Sequence, residues 1–122
     1  MSVSRSRLAE TPAYITLDGS SIRELMHPSV HGNAKQSLAE ASVPVAGATA
    51  PHRHRVSEEL YFILAGRGRM RLGDAEFIIE PGDTILIPPG TVHCLHNIGN
   101  ETLRLLCCCA PAYQHEDTEM TD

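Results

Sequence analysis

Apolar residues fall in short runs along this chain, each closed by turn-forming residues. Tyr14-Ile15-Thr16-Leu17 runs into Asp18-Gly19, and Thr84-Ile85-Leu86-Ile87 into Pro88-Pro89-Gly90. Short β-rich runs bounded by glycine, proline, asparagine or aspartate read as strands. The pattern predicts strands over 14–17, 36–43, 52–54, 59–64, 69–72, 76–80, 84–87, 91–97 and 103–109. Gly66-Arg67-Gly68 marks a tight turn, and Gly73-Asp74 a hairpin between 69–72 and 76–80. Residues 21–24 have capping-box spacing before Leu25-Met26, which predicts one helical turn ended by Pro28. Turn signals at roughly every 8–12 residues suit an all-β sandwich or small barrel, and a barrel of about eight strands has room for one small ligand. The expected organisation is an N-terminal arm over 1–33, with a short strand and the helical turn, a barrel over 34–111 and a polar tail over 112–122. From residue 110 onward the chain is expected to fray or to pack across a neighbour.

Composition narrows the class. A chain of 122 residues suits one domain and buries enough surface to need no disulfide. A net charge of −5 disfavours nucleic acid as a partner, because phosphate binding needs a basic surface. No apolar run approaches the ~18–20 residues of a membrane span, so no membrane partner is expected. The segment after Arg5 and Arg7 lacks the apolar core of a secretory signal, and the expected location is cytoplasmic. Cys94, Cys107, Cys108 and Cys109 form no CxxC pair, which argues against a zinc ribbon or a redox motif. They read as small buried residues in a reducing compartment, with one facing the pocket as the alternative.

The candidate chemistry sits in Pro51-His52-Arg53-His54-Arg55-Val56-Ser57-Glu58-Glu59. Histidines two apart on a strand point their imidazoles to one face. With a carboxylate close behind, they have the form of a divalent metal site. His93, far along the chain, is a candidate for completing it. An unbroken strand would turn Glu58, not Glu59, toward the histidines. A turn or bulge at 55–57 would reverse that parity, and alternation alone leaves both glutamates open.

At these residues the chain resembles the cupins. His52-Arg53-His54, four residues, Glu59, six residues and Gly66 match the first cupin motif. Gly82, five residues, Pro88-Pro89-Gly90, two residues, His93, three residues and Asn97 match the second. The one departure is Ala46, which stands where the first motif opens on glycine. The resemblance implies a double-stranded β-helix (jelly-roll) barrel. It also implies one divalent transition metal (Mn, Fe, Ni, Co or Zn) held by His52, His54, Glu59 and His93, the count to Gly66 favouring Glu59. A homodimer is the further implication, along with a small-molecule substrate.

Four protein ligands leave an octahedral ion two positions for water, O₂ or a chelating substrate. The function expected is a metal-dependent enzyme, a dioxygenase-type oxidoreductase, acting on a small oxygenated or carboxylate-bearing molecule. The alternatives are a non-oxidative isomerase or lyase and a non-catalytic ligand-binding cupin. Tyr61, on the Glu59 face, is the candidate catalytic base. Asn97 shares the face of His93 and supports the pocket or the fold. Arg53, Arg55, Arg67, Arg69 and Arg71 read as a solvated, ion-paired face. The sharper alternative makes Arg69 or Arg71 an anchor for an anionic substrate. His27 and His31 read as surface loop residues.

Overall fold

The computed structural model describes residues 2–121. Its strands are β1 (Tyr14–Ile15), β2 (Ser21–Met26), β3 (Ser37–Val43), β4 (His52–His54), β5 (Glu58–Ala65), β6 (Gly68–Leu72), β7 (Ala75–Ile79), β8 (Thr84–Ile87), β9 (His93–Asn97), β10 (Leu103–Ala110) and β11 (Thr118–Met120). One sheet runs β1-β2-β3-β10-β5-β8 and the other β11-β4-β9-β6-β7, with every pairing antiparallel. The two sheets face each other as a double-stranded β-helix. Alternate residues point inward, so Tyr61 and Ile63 of β5, Met70 of β6, Leu95 of β9 and Leu105 of β10 meet in one core. Each fully buried apolar side chain contributes about 1.5–3 kcal/mol.

Two expectations are corrected at the ends of the chain. Residues 21–24 form no helical turn; they belong to β2, which pairs with β3 along Ser21↔Ser42 to Met26↔Leu38. A single helical turn gains one hydrogen bond, whereas a strand beside β3 gains a ladder. The only short α-helix among the described residues is α1 (Pro28–His31), with Pro28 at its start and His27 accepting from Ser29 N. The tail does not fray. It closes the second sheet on its own chain, with Thr118↔His54 and Met120↔His52.

Two turns carry backbone in the left-handed region. Gly66 has φ 88°, and a Cβ there would lie 2.8 Å from Leu103 Cα, so glycine is required twice over. Ala46 has φ 63° in the turn closed by Gly47 N donating to Pro44 O at 2.8 Å. The backbone at this position therefore keeps the conformation that glycine favours, although alanine occupies it.

Candidate metal centre

The site is assembled by strand register. His52 and His93 are direct cross-strand partners between β4 and β9. Two residues along β4, His54 shares their face. Glu59 enters from β5, in the opposite sheet, because the chain turns at Arg55-Val56-Ser57. That turn is pinned by Asp117, whose carboxylate accepts from Val56 N at 2.8 Å and Ser57 N at 3.0 Å. Ser57 Oγ donates to Pro111 O at 2.8 Å. As a result Glu59 is buried and Glu58 exposed.

Hydrogen bonds fix the tautomers. His52 Nδ1 lies 2.8 Å from Ala50 O, and His93 Nδ1 lies 2.9 Å from Thr91 O. A carbonyl only accepts, so both Nδ1 atoms carry the proton. His54 Nδ1 lies 3.1 Å from Thr118 Oγ1, whose own proton goes to Gln114 O. All three Nε2 atoms therefore present lone pairs, and one ring nitrogen from each histidine lies within 4.8 Å of the other two. Glu59 Oε1 sits 3.3 Å from His54 Nε2 and 3.4 Å from His93 Nε2. Glu59 Oε1 and His93 Nε2 are buried without a hydrogen-bond partner.

Acceptors converging without a donor, in a buried place, are unfavourable unless a cation lies between them. Three neutral imidazoles and one carboxylate are the donor set a divalent transition metal takes. The residues present fit such an ion.

Electrostatics agree. Burial raises the Glu59 carboxyl, and N–H donation and positive charge from the His54 and His93 imidazoles outweigh it and hold the group down to about 2, a stabilisation that a bound cation would supply once the Nε2 atoms are bare. Burial, and then His93, push His52 below its usual value, so it is neutral at pH 7. Both residues are in the form a metal requires.

A cleft enclosing about 620 Å³, counted with its open mouth, leads to the histidines. Its walls include Tyr61 and, from the two ends of the chain, Tyr14, Thr16, Asp18, Tyr113 and Thr118. Tyr61 is buried, and burial followed by the Glu59 charge pushes its phenol well above 10.0. It stays protonated, so it can donate a hydrogen bond but is not the resting base. Asn97 works on the fold: Nδ2 donates to Val43 O and Glu101 O, and Oδ1 accepts from Gly99 N.

The arginines stay outside. Arg53 pairs with Glu119 at 3.2 Å and Arg67 with Glu80 at 3.6 Å, while Arg69 and Arg71 lie opposite the inward-facing Met70. Neither Arg69 nor Arg71 lines the cleft, so the anchor reading is not supported. His27 and His31 are away from the centre; His27 Nε2 bonds Tyr113 O at 2.8 Å.

Sequence reasoning missed two contributors, Asp18 and Thr118, and held a third, a pocket cysteine, only as an alternative. Asp18 was only a turn residue, yet its Oδ2 lies 3.6 Å from His52 Nε2. Thr118 lay in a tail expected to fray. Cys109, the cross-strand partner of Glu59, places Sγ 3.3 Å from Glu59 Oε2. Strand parity pointed Cys107 and Cys109 to one side, and both line the cleft. Burial pushes both thiols up, so neither is a reactive thiolate.

An antiparallel double-stranded β-helix with a metal-competent histidine cluster at the inner end of a cleft is the class defined here. The cupin domain family matches residues 39–109, and the chain belongs to the cupins. An uncharacterized protein of Methanocaldococcus jannaschii is 51% identical over 122 residues, covering 100% of this chain and 98% of that protein. Among solved structures, the polyketide cyclase RemF from Streptomyces resistomycificus is similar with TM-score 0.79 and 25% identity, over 95% of this chain and 89% of that one. A predicted oxalate decarboxylase from Thermotoga maritima is similar in fold with TM-score 0.75 and 22% identity, over 86% of this chain and 96% of that one.

Proposed function

We propose that this cupin is a metal-dependent enzyme that binds a small oxygenated molecule at a divalent transition metal held by His52, His54, Glu59 and His93. The observation that carries this reading is the pair of buried, unpartnered atoms, His93 Nε2 and Glu59 Oε1, facing each other at 3.4 Å with no proton between them. The ion would supply Lewis acidity and coordination positions for a chelating substrate. Oxidation of that substrate by O₂, as in a dioxygenase, is the first reaction class to test.

Non-oxidative isomerase or lyase chemistry is the second reading. It is favoured by an acid and a base on the cleft wall: the Tyr61 phenol, held protonated by burial, and the Asp18 carboxylate. The RemF likeness is compatible with this second class, since a cyclase rearranges its substrate. We further propose a homodimer. The outer face of the six-stranded sheet exposes Leu60 at 41%, Phe62 at 40% and Leu86 at 51%, more apolar surface than a lone strand face ordinarily leaves. Sedimentation of the purified protein tests that.

The deciding experiment is metal analysis of protein purified without chelator, followed by oxygen uptake with catechols and diketones. One bound ion per chain is expected in the wild type, with at least tenfold weaker retention in His93→Ala. Equal retention in the variant would remove His93 from the ligand set. Metal without oxygen uptake selects the non-oxidative reading.

A further inference from the structure

The cleft is walled largely by apolar side chains such as Ile22, Ala41, Val43 and Leu95; the charged groups among its lining are carboxylates, and among the described residues no lysine or arginine lines it. Besides Glu59, two carboxylates face the space, Asp18 and Glu24, together with the phenols of Tyr14, Tyr61 and Tyr113. The chain has ten basic side chains, so their absence from this wall is a matter of placement.

Asp18 is held for a purpose that its turn does not need. Its Oδ1 accepts from Ser20 N at 2.9 Å and Ser20 Oγ at 2.6 Å, and its own carbonyl accepts from Ala50 N at 2.8 Å. Ala50 is the residue whose carbonyl fixes the tautomer of His52. The backbone therefore ties Asp18 to His52 through Ala50. Oδ2 is left free, 3.6 Å from the bare Nε2 of His52, with the carboxylate 13% exposed. Two acceptors at that separation need a cation or a donor between them. Glu24 Oε1 is likewise buried without a partner, while its Oε2 accepts from Tyr14 OH at 3.3 Å.

Resting on the metal reading above, the geometry points to the substrate class: a neutral, hydroxyl-bearing chelator whose O–H groups donate to Asp18 and Glu24, selected against carboxylate anions. A divalent ion and Glu59 leave one net positive charge, and Asp18 cancels it. An anion entering the cleft thus meets carboxylates at short range with no cationic partner, and in a partly desolvated cleft that repulsion weakens binding by roughly tenfold or more. A neutral diol or hydroxyketone meets acceptors for each hydroxyl.

Catechol and salicylate test this, because both are ortho chelators on one ring and only salicylate is ionised at pH 7. Each is titrated by calorimetry into zinc-loaded wild type and into Asp18→Asn, Glu24→Gln and the double variant, with zinc content and melting temperature measured for each protein. The wild type is expected to bind catechol at least tenfold more tightly than salicylate. The double variant should narrow that ratio at least fivefold when the proteins are compared after loading to the same zinc content. If Asp18→Asn fails to fold, Glu24→Gln carries the same comparison with a smaller change.

Salicylate binding as tightly as catechol, a ratio untouched by the substitutions, or no binding of either probe would overturn the inference. Failure of the metal reading shows separately, as wild type that retains no zinc. The same pair titrated into the metal-free cleft then decides the selectivity alone, with preference for salicylate as the refuting result.

Discussion

Asp117→Ala tests whether the tail builds the metal site. The carboxylate accepts from two backbone N–H groups, Val56 at 2.8 Å and Ser57 at 3.0 Å, in the turn that sends Glu59 inward. Val56 is 63% exposed, so water replaces the lost acceptor there at small cost. Ser57 is 3% exposed, and its N–H would be left buried and unpaired. An unsatisfied buried donor costs about 1–3 kcal/mol, and loss of a capping carboxylate about 0.5–2 kcal/mol, so about 2 kcal/mol is the expected total. For a domain of this size that lowers Tm by about 4–8 °C. Asp117→Asn keeps one acceptor and should lose about half as much.

The pH dependence has a definite sign. Burial raises the Asp117 carboxyl, but the N–H groups of Ser57 and Val56 together outweigh it and hold it below its usual 3.8. A depressed carboxylate stabilises above its unfolded value and loses that contribution as pH falls through the folded one. The gap between wild type and Asp117→Ala should therefore be constant from pH 8 to about pH 5 and close below about pH 4. Denaturant melts across that range measure it, alongside zinc affinity, expected to weaken about tenfold as Glu59 loses its fixed approach. A gap under about 0.5 kcal/mol at neutral pH, or one that grows as pH falls below about 4, would refute the reasoning.

The other predictions concern the entry turn, the outer face and the ion itself. Ala46→Gly should stabilise by about 0.5 kcal/mol, since relief of a left-handed alanine exceeds the entropy glycine adds to the unfolded chain, whereas Ala46→Val should destabilise by more than about 1 kcal/mol; thermal melts read both. Arg104→Ala strips one of two guanidinium groups, Arg104 and Arg23, from Glu40, which is 2% exposed on the outer face of β3, and should cost about 1–3 kcal/mol in denaturant melts after allowance for the half-exposed arginines. Metal affinity should be flat above neutrality and fall as pH drops through the histidine range; because burial lowers His52, the share of that loss due to this imidazole should come below its ordinary value of 6.5, as a chelator competition at stepped pH in wild type and His52→Ala would read.

The sequence carried the candidate ligand residues because they obey local rules. His52 and His54 needed only the two-residue period of a strand. The six-residue count from Glu59 to Gly66 identified the glutamate that alternation alone left open. What stayed hidden depends on long-range register. Nothing near Thr118 announces that it will pair with His54, sixty-four positions away, since the strand there is short and polar. Residues 21–24 carry a helix-start signal that lost to pairing with β3, a case of tertiary ladder bonds overriding local preference. Asp18-Gly19 did signal a turn. That its carboxylate faces His52 follows from the Ala50 contact, which no local pattern encodes.

Those two kinds of information divide the site. All four proposed ligands fall within residues 39–109, the span that matches the cupin family. Two of them are anchored by carbonyls two residues back, Ala50 for His52 and Thr91 for His93, so each short strand carries its own alignment device. The cleft wall is of mixed origin: Thr49, Tyr61, Leu95 and Cys107 line it from inside that span. Tyr14, Thr16, Asp18, Tyr113 and Thr118 all lie outside that span, on the two ends of the chain that add β1, β2 and β11 to the sheets. Thr16 Oγ1 and Tyr113 OH join these ends across the mouth at 3.0 Å. Family membership therefore speaks to the proposed ligands and to part of the wall, and leaves the part built by the two chain ends to segments free to differ between cupins. Exchanging residues 14–20 for the equivalent turn of another cupin should change which ligand binds while leaving the ion in place.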